Sequence, residues 1–334
     1  MKVAVVGATG AVGEAMLAVL AERKFPVDGM VLLASERSAG ERLAWRNREV
    51  VVQDLATFDP AGVDIALFSA GAEVSRAHAP RFAAAGAVVI DNSSAFRADP
   101  EVPLVVAEVN PGALHDRPKG IIANPNCSTM QLVVALAPLH RAAGIERINV
   151  ATYQSVSGTG RRALEELGRQ TAGLLGFQQV TPEVYPVQIA FNVIPHGGDF
   201  DADGNTGEEL KLVNETRRIL GDDTIRVNAT VVRVPVFYGH SEAVNIETRE
   251  KLTAAEARRL LEEAPGVEVV DAHEPGGYPT PVTHASGRDP VFVGRIREDR
   301  SHPRALNLWV VADNIRKGAA LNAVQLAELV AAAR

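Results

Sequence analysis

The chain contains one cysteine, Cys127, and its position gives it chemical interest. It follows Asn124-Pro125-Asn126 and opens Ser128-Thr129-Met130-Gln131, where a stretch of helical composition begins. Unpaired N–H groups and the macrodipole at a helix N-terminus favour an anion, so a thiol there ionises more readily. The thiolate is the nucleophile, and the same N–H groups can hold the oxyanion formed when sulfur adds to a carbonyl. A lone cysteine is by default a small buried hydrophobe; the helix-head position argues for more. Of the eight histidines, His196, His240, His273 and His284 show no metal-ligand spacing, so a metalloenzyme is a poor fit and no metal is expected.

A second cluster lies at the start. Gly7-Ala8-Thr9-Gly10-Ala11-Val12-Gly13 separates an apolar run from an alanine-rich one. In a strand–turn–helix context, glycines let the backbone turn tightly and approach a pyrophosphate, which the helix N-terminus then holds. The spacing is GxxGxxG rather than GxGxxG, so the context carries the argument as much as the motif. After the second apolar run come Ser35-Glu36-Arg37-Ser38. An acidic residue here favours the ribose hydroxyl of NAD; a cation flanked by serines suits the 2′-phosphate of NADP. Arg37 with Ser35 and Ser38 favours NADP, although Glu36 argues the other way.

These residues need elements to hold them. Short apolar runs at Lys2–Val6, Val31–Ala34, Val50–Gln53, Ile65–Ser69, Ala87–Ile90 and Ile121–Ala123, with a helix at Ala11–Glu22, predict a doubly wound parallel sheet of Rossmann type. After residue 127 the texture changes. A helix at Ser128–Ala142 precedes longer strands at Ile148–Val156, Thr230–Val236, Ala243–Thr248, Val291–Arg297 and Ala305–Ala312. Helices at Arg161–Leu175, Glu208–Leu220 and Ala254–Glu263 are interleaved, the last opened by the capping box Thr253-Ala-Ala-Glu256. This predicts a second, α+β domain on a largely antiparallel sheet. A final helix, Ile315–Ala333, is expected to pack back on the first domain, giving 1–126 with 314–334 as one domain and 127–313 as the other.

Composition removes several classes. With 46% hydrophobic and 22% charged residues the chain is globular rather than disordered, and a net charge of −7 leaves no footprint for nucleic acid or an anionic membrane. A start at MKVAVVGATG reads as a strand, not a signal peptide. With one cysteine, no internal disulfide calls for an oxidising compartment, so the cytoplasm is expected.

The glycine loop followed by Asn-Pro-Asn-Cys-Ser-Thr resembles the aspartate-semialdehyde dehydrogenase family over essentially the whole chain. That resemblance implies that Cys127 is the acyl-thioester nucleophile. In Tyr153-Gln-Ser-Val-Ser-Gly158 it gives Gln154 the role of orienting substrate and places Ser157 and Gly158 near the nicotinamide. In Glu208-Glu-Leu-Lys211 it gives the amine to Glu208 and phosphate to Lys211. In Arg233-Val-Pro-Val-Phe-Tyr-Gly-His240 it gives the substrate carboxylate to Arg233 and proton transfer to His240. Arg97, with Asn126, would bind phosphate, and Asn314 would contact the cofactor.

The implied reaction is reversible conversion of L-aspartyl 4-phosphate and NADPH to L-aspartate 4-semialdehyde, phosphate and NADP. It serves lysine (through diaminopimelate), threonine and methionine biosynthesis. A homodimer or homotetramer is implied, with Arg161–Leu175 and neighbouring strands as interface candidates. Taken singly, each residue has a plainer reading: Glu208 and Lys211 as a surface ion pair, Arg97 as solvated, His240 as structural. The nearest enzyme rival is N-acetyl-γ-glutamyl-phosphate reductase, whose cysteine usually lies in His-Pro-Gly-Cys. A catalytically silent nucleotide-binding relative is the rival from another class, and the presence of both Cys127 and His240 argues against it.

Overall fold

The computed structural model describes residues 1–333, and contacts divide these into two units, 1–126 with 319–333 and 127–318. The chain thus re-enters the first unit at Ala319, five residues beyond the expected 314.

In the first unit the strands are β1 (Lys2–Val6), β2 (Gly29–Ala34), β3 (Arg42–Trp45), β4 (Arg48–Asp54), β5 (Ile65–Phe68), β6 (Val88–Asp91) and β7 (Ile121–Ala123). Helices α1 (Ala11–Glu22) and α2 (Ala72–Ala84) connect them. The sheet order is β3-β4-β2-β1-β5-β6-β7, parallel throughout except for the antiparallel β3–β4 edge. The order reverses at β1, so β2 and β5 flank it and the loop after β1 leaves the carboxyl edge at the topological switch point. Val3, Val5, Leu32, Ile65, Leu67 and Ile90 are fully buried, which is why these strands read as unbroken apolar runs.

In the second unit α3 (Cys127–Ala143) leads into β8 (Ile145–Gln154), α4 (Arg161–Leu175), α5 (Gly207–Leu220), β9 (Arg226–Arg233) and β10 (His240–Thr248). Then follow α6 (Ala254–Glu262), β11 (Val267–Val269), β12 (Val291–Glu298) and β13 (Ala305–Ala312). The sheet order is β11-β12-β13-β10-β8-β9. Its three inner pairings are antiparallel, and the outer pairs β11–β12 and β8–β9 are parallel. Helix α3 packs across β8, β10, β12 and β13 and is apolar nearly all round, so it is buried rather than amphipathic. The predicted capping box closes α6: Thr253 N donates to Glu256 Oε2 at 2.9 Å and Glu256 N to Thr253 Oγ1 at 3.2 Å. The chain then returns through a wide helical turn, Arg316–Leu321, to α7 (Asn322–Ala332). Val324, Leu326, Ala327 and Val330 of α7 join the first unit's core, and Arg23 of that unit pairs with Glu328 at 2.7 Å.

Two glycines of the first loop are required by geometry. Gly7 has φ +83°, and a Cβ there would lie 2.9 Å from the Ser69 carbonyl. A Cβ on Gly13 would stand 2.2 Å from the Gly7 carbonyl oxygen, so α1 can approach the end of β1 only without a side chain there. We expect Gly13→Ala to push α1 off the sheet and cost roughly 1–3 kcal/mol. Urea unfolding would register this as a lower midpoint, and an unchanged midpoint would mean the loop has room that this geometry denies.

Candidate active site

Cys127 is the first residue of α3 and is partly exposed. The backbone of Gly318 lies against it: a Cβ at 318 would come within 2.7 Å of the Cys127 Cβ. The next residue, Ser128, is fully buried and its Oγ accepts from Gln154 Nε2 at 3.0 Å. That amide nitrogen also lies 3.3 Å from Thr152 Oγ1, while Gln154 Oε1 is buried without a partner. One turn along α3, Gln131 Nε2 donates to the main-chain oxygen of His240 at 3.4 Å. The cysteine's own helix therefore binds both the end of β8 and the start of β10.

His240 is fully buried. Its Nδ1 receives the Ser155 backbone N–H at 3.0 Å, with Ser155 Oγ at 3.1 Å. A backbone N–H can only donate, so Nδ1 accepts and the neutral ring carries its proton on Nε2. That Nε2 has no partner among the described residues. Burial, and secondarily the positive Arg233, push the His240 pKa well below the ordinary histidine value. Arg233 ends β9, and the two side chains meet at Gly158, whose Cβ would lie 3.1 Å from Arg233 Nη1 and 3.2 Å from His240 Nε2. A side chain there would have to displace both by a few tenths of an ångström.

Asn314 organises the loops behind the ring. Its Oδ1 accepts from Ser155 Oγ, Ser157 Oγ and Gly239 N, each at 3.0 Å. Glu208 and Lys211 sit one turn apart on α5 as an ion pair, Glu208 the more buried of the two. Gly197 lets α5 approach β9: a Cβ on it would lie 3.0 Å from Glu208 Cγ and 2.8 Å from Val231 Cγ1. The second unit thus ties Gln154 and His240 to the Cys127 helix through Ser128 and Gln131, sets Arg233 and His240 against Gly158, bonds Asn314 to Ser155 and Ser157, and carries Glu208 and Lys211 on the helix that packs on β9.

The first unit holds the others. The Gly7–Gly13 loop leaves the first-turn N–H groups of α1 pointing out of the helix, with Gly10 at the N-cap adding no side chain. This cradle fits a dinucleotide pyrophosphate. Ser35, Glu36 and Arg37 are exposed after β2, with Ser38 buried behind them. Arg97 is anchored by Nε to the Asn124 carbonyl at 2.9 Å and by Nη2 to that of Asn92 at 2.7 Å. Asn126 is buried at the end of the same segment. Asp91 opens the Arg97 loop by accepting Ser75 Oγ and Ser93 Oγ at 2.6 Å each; its burial raises its pKa.

Residue patterns did not single out Ser155, Gln131, Gly318 or Glu242. Ser155 acts through its backbone, which no side-chain motif signals. Gln131 lies four residues after Cys127 and therefore on the same helix face, the one signal that was available.

Comparison with known proteins gives a consistent result. The family model described as "Semialdehyde dehydrogenase, NAD binding domain" matches residues 2–117, and "Semialdehyde dehydrogenase, dimerisation domain" matches 136–317. An aspartate-semialdehyde dehydrogenase of Legionella pneumophila is 58% identical over 98% of this chain and 95% of its own. The crystal structure of aspartate semialdehyde dehydrogenase II from Vibrio cholerae complexed with ASA has TM-score 0.97 at 54% identity, covering 99% of this chain and 98% of that one. The Candida albicans enzyme with NADP has TM-score 0.76 at 26% identity over 99% and 98%.

The buried ring has a consequence for stability. His240 in the unfolded chain takes up a proton near pH 6.5, whereas its folded pKa is lower. Below about 6.5 the unfolded state therefore binds more protons, and stability falls with pH until the folded pKa is reached. Relative to His240→Gln, the wild type should lose up to about 1.4 kcal/mol per pH unit in that window. Urea unfolding of both proteins at neutral and mildly acidic pH checks this; parallel curves would contradict a buried neutral imidazole.

Proposed function

The chain belongs to the aspartate-semialdehyde dehydrogenase family, and we propose that it interconverts L-aspartyl 4-phosphate and L-aspartate 4-semialdehyde through a thioester on Cys127. The observation that carries this reading is the head of α3: a cysteine at the helix terminus, Gln154 held on the adjacent Ser128, and His240 tied to the same helix through Gln131.

In the reducing direction the Cys127 thiolate, favoured by the first-turn N–H groups of α3, adds to the acyl carbon of the acyl phosphate. The carbon–oxygen bond to phosphate breaks and the acyl group stays on sulfur. A bound nicotinamide dinucleotide would supply the hydride for this carbon. The tetrahedral alkoxide on Cys127 then expels the thiolate and the semialdehyde is free. Oxygen becomes negative twice along this course, and neither step demands a complete proton transfer from the protein. A neutral His240 offering Nε2–H is suited to that oxygen as a hydrogen-bond donor, an oxyanion role rather than that of an imidazolium. This refines the proton-transfer role expected for it.

Recognition follows from charge. Arg233 takes the α-carboxylate bidentately and Glu208 takes the ammonium, exchanging its resident Lys211 partner. Arg97, Lys211 and Asn126 hold phosphate. The Gly7–Gly13 loop, including Thr9, Gly10, Ala11 and Val12, with Ser157, Gly158 and Asn314, serves the dinucleotide, and Arg37 with Ser35 and Ser38 selects NADP. The enzyme works in the cytoplasm, in the synthesis of lysine, threonine and methionine, as a homodimer or homotetramer. Two surfaces support self-association. One is the sheet face opposite α3, where Tyr153 and Trp309 lie 5.5 Å apart; the other is the apolar end of α4, with Leu175 and Phe177 exposed.

The test is a phosphate-dependent oxidation of aspartate semialdehyde with NADP and with NAD, run beside N-acetylglutamate semialdehyde. Turnover is expected only with phosphate and only with the aspartyl substrate; preference for the acetylated one would move the assignment to the reductase rival. Cys127→Ala should bind cofactor normally and lose turnover completely, and residual turnover would remove the thioester. Arg37→Ala should raise the KM for NADP by at least about tenfold, the loss of one charge-assisted contact, while leaving that for NAD nearly unchanged. Equal effects on both cofactors would exclude Arg37 as the reader of the 2′-phosphate.

A further inference from the structure

One buried ionisable group has no part in this chemistry. Glu242 lies on β10 two residues after His240, so both side chains project from the same face of the strand, the face that α3 covers. It is fully buried, and neither carboxyl oxygen completes a hydrogen bond. Its cross-strand neighbours are Thr152 on β8 and Val310 on β13, and the group facing it from α3 is the Gln131 amide. None of the three carries a charge. An ionised carboxylate enclosed this way would bear the full cost of desolvation with no cation to offset it.

We infer that Glu242 is a positioning residue of the active site, held as a neutral acid that donates its hydrogen to the Gln131 amide oxygen, and that this acid–amide pair keeps the Cys127 helix in register with the His240 strand. The inference rests on the reading of Cys127 and His240 as the working pair.

Hydrogen-bond accounting carries it. Gln131 Nε2 faces the His240 carbonyl, which can only accept, so the amide orientation is fixed. Gln131 Oε1 is then a buried acceptor with no donor, as are both Glu242 oxygens. A carboxylate can accept the second hydrogen of Nε2 but brings none of its own, so Gln131 Oε1 and its other oxygen stay unmatched. A protonated carboxyl supplies one O–H for Oε1, and its other oxygen accepts the second hydrogen of Nε2. One proton thus resolves the whole cluster. Burial drives the group the same way, raising its pKa well above the ordinary glutamate value. Because Gln131 stands one turn after Cys127 and holds the backbone of His240 itself, its orientation sets the separation of thiol and imidazole.

Infrared spectroscopy and kinetics test the inference together. At neutral pH the wild type should show the carbonyl stretch of a protonated carboxyl that is missing from Glu242→Gln. Glutamine reproduces the neutral acid in shape and can donate to the Gln131 oxygen, so Glu242→Gln should keep kcat within about threefold of wild type. Glu242→Leu matches the volume but offers no hydrogen bond. It should lower kcat about thirtyfold or more with the KM for semialdehyde and phosphate little changed, and it should slow alkylation of Cys127. Absence of the infrared difference, a Glu242→Gln enzyme as slow as Glu242→Leu, or a Glu242→Leu enzyme as fast as wild type would each overturn it. If Glu242→Leu does not fold, the infrared band and the Glu242→Gln rate decide alone. Turnover by Cys127→Ala would sink the thioester reading without touching the infrared result, so the two failures are distinguishable.

Discussion

A single backbone N–H, that of Ser155 donating to Nδ1 of His240, constrains how this protein can use its histidine. It fixes the ring plane, assigns the proton to Nε2, and opposes a second proton, because an imidazolium would set Nδ1–H against the Ser155 N–H. The loops that hold Ser155 are themselves tied by the three bonds to Asn314 Oδ1. A histidine kept neutral cannot stabilise a thiolate as its counter-ion. The task therefore falls on the head of α3, where Cys127 occupies the first helical position. On the proposed reading, nucleophile and oxyanion donor are thus activated separately, by a helix terminus and by a buried ring.

Such an arrangement is costly. Ser128, Gln131, Thr152, Gln154, His240 and Glu242 are all buried polar residues on α3, β8 and β10, and each unsatisfied atom among them costs about 1–3 kcal/mol. The apolar length of α3 offsets this. Met130, Leu132, Val133, Leu136 and Leu139 are fully buried, as is Val310 on β13, and Val244 and Ile246 continue the covered face of β10. The polar residues sit at the head of α3, where chemistry requires them, and the apolar ones follow. Gln154 Oε1 and His240 Nε2 are left unmatched among the described residues, and on the proposed reading the substrate completes them.

Much of this was legible from residue order. Fully buried parallel strands such as Val3–Val6 and Ile65–Phe68 must be apolar on both faces, and they read so. The turn after β1 had to be glycine because Gly13 meets the Gly7 carbonyl, and glycine is what stands there. Other features were not legible for definite reasons. Strand β3, Arg42–Trp45, is a four-residue edge strand whose existence depends on its antiparallel partner rather than on its own pattern. The wide turn at Arg316–Leu321 stands where a regular helix was expected from Ile315 onward. Glu242 reads in sequence as an ordinary solvated charge, since burial on both sides comes from α3 and from strands distant in the chain. The tautomer of His240 is set by a residue 85 positions away, and backbone donors leave no mark in side-chain patterns.

Net charge is a poor guide to what such a protein can bind. The chain carries −7, yet its reading requires it to hold a pyrophosphate, a free phosphate and a carboxylate. Fixed local donors answer the difficulty better than a basic surface would. The N-termini of α1 and α3 present N–H groups already aligned by the helix, and Arg97 has its guanidinium aimed by bonds to two backbone carbonyls before any ligand arrives. Donors held in place need no reorganisation when charge develops, and in a partly dehydrated site they act through a lower dielectric than water. A diffuse positive field would attract anions of every kind; pre-aimed donors reward only the anion that fits them. An acidic protein that binds anions at a few fixed places gains selectivity from its own net repulsion of the rest.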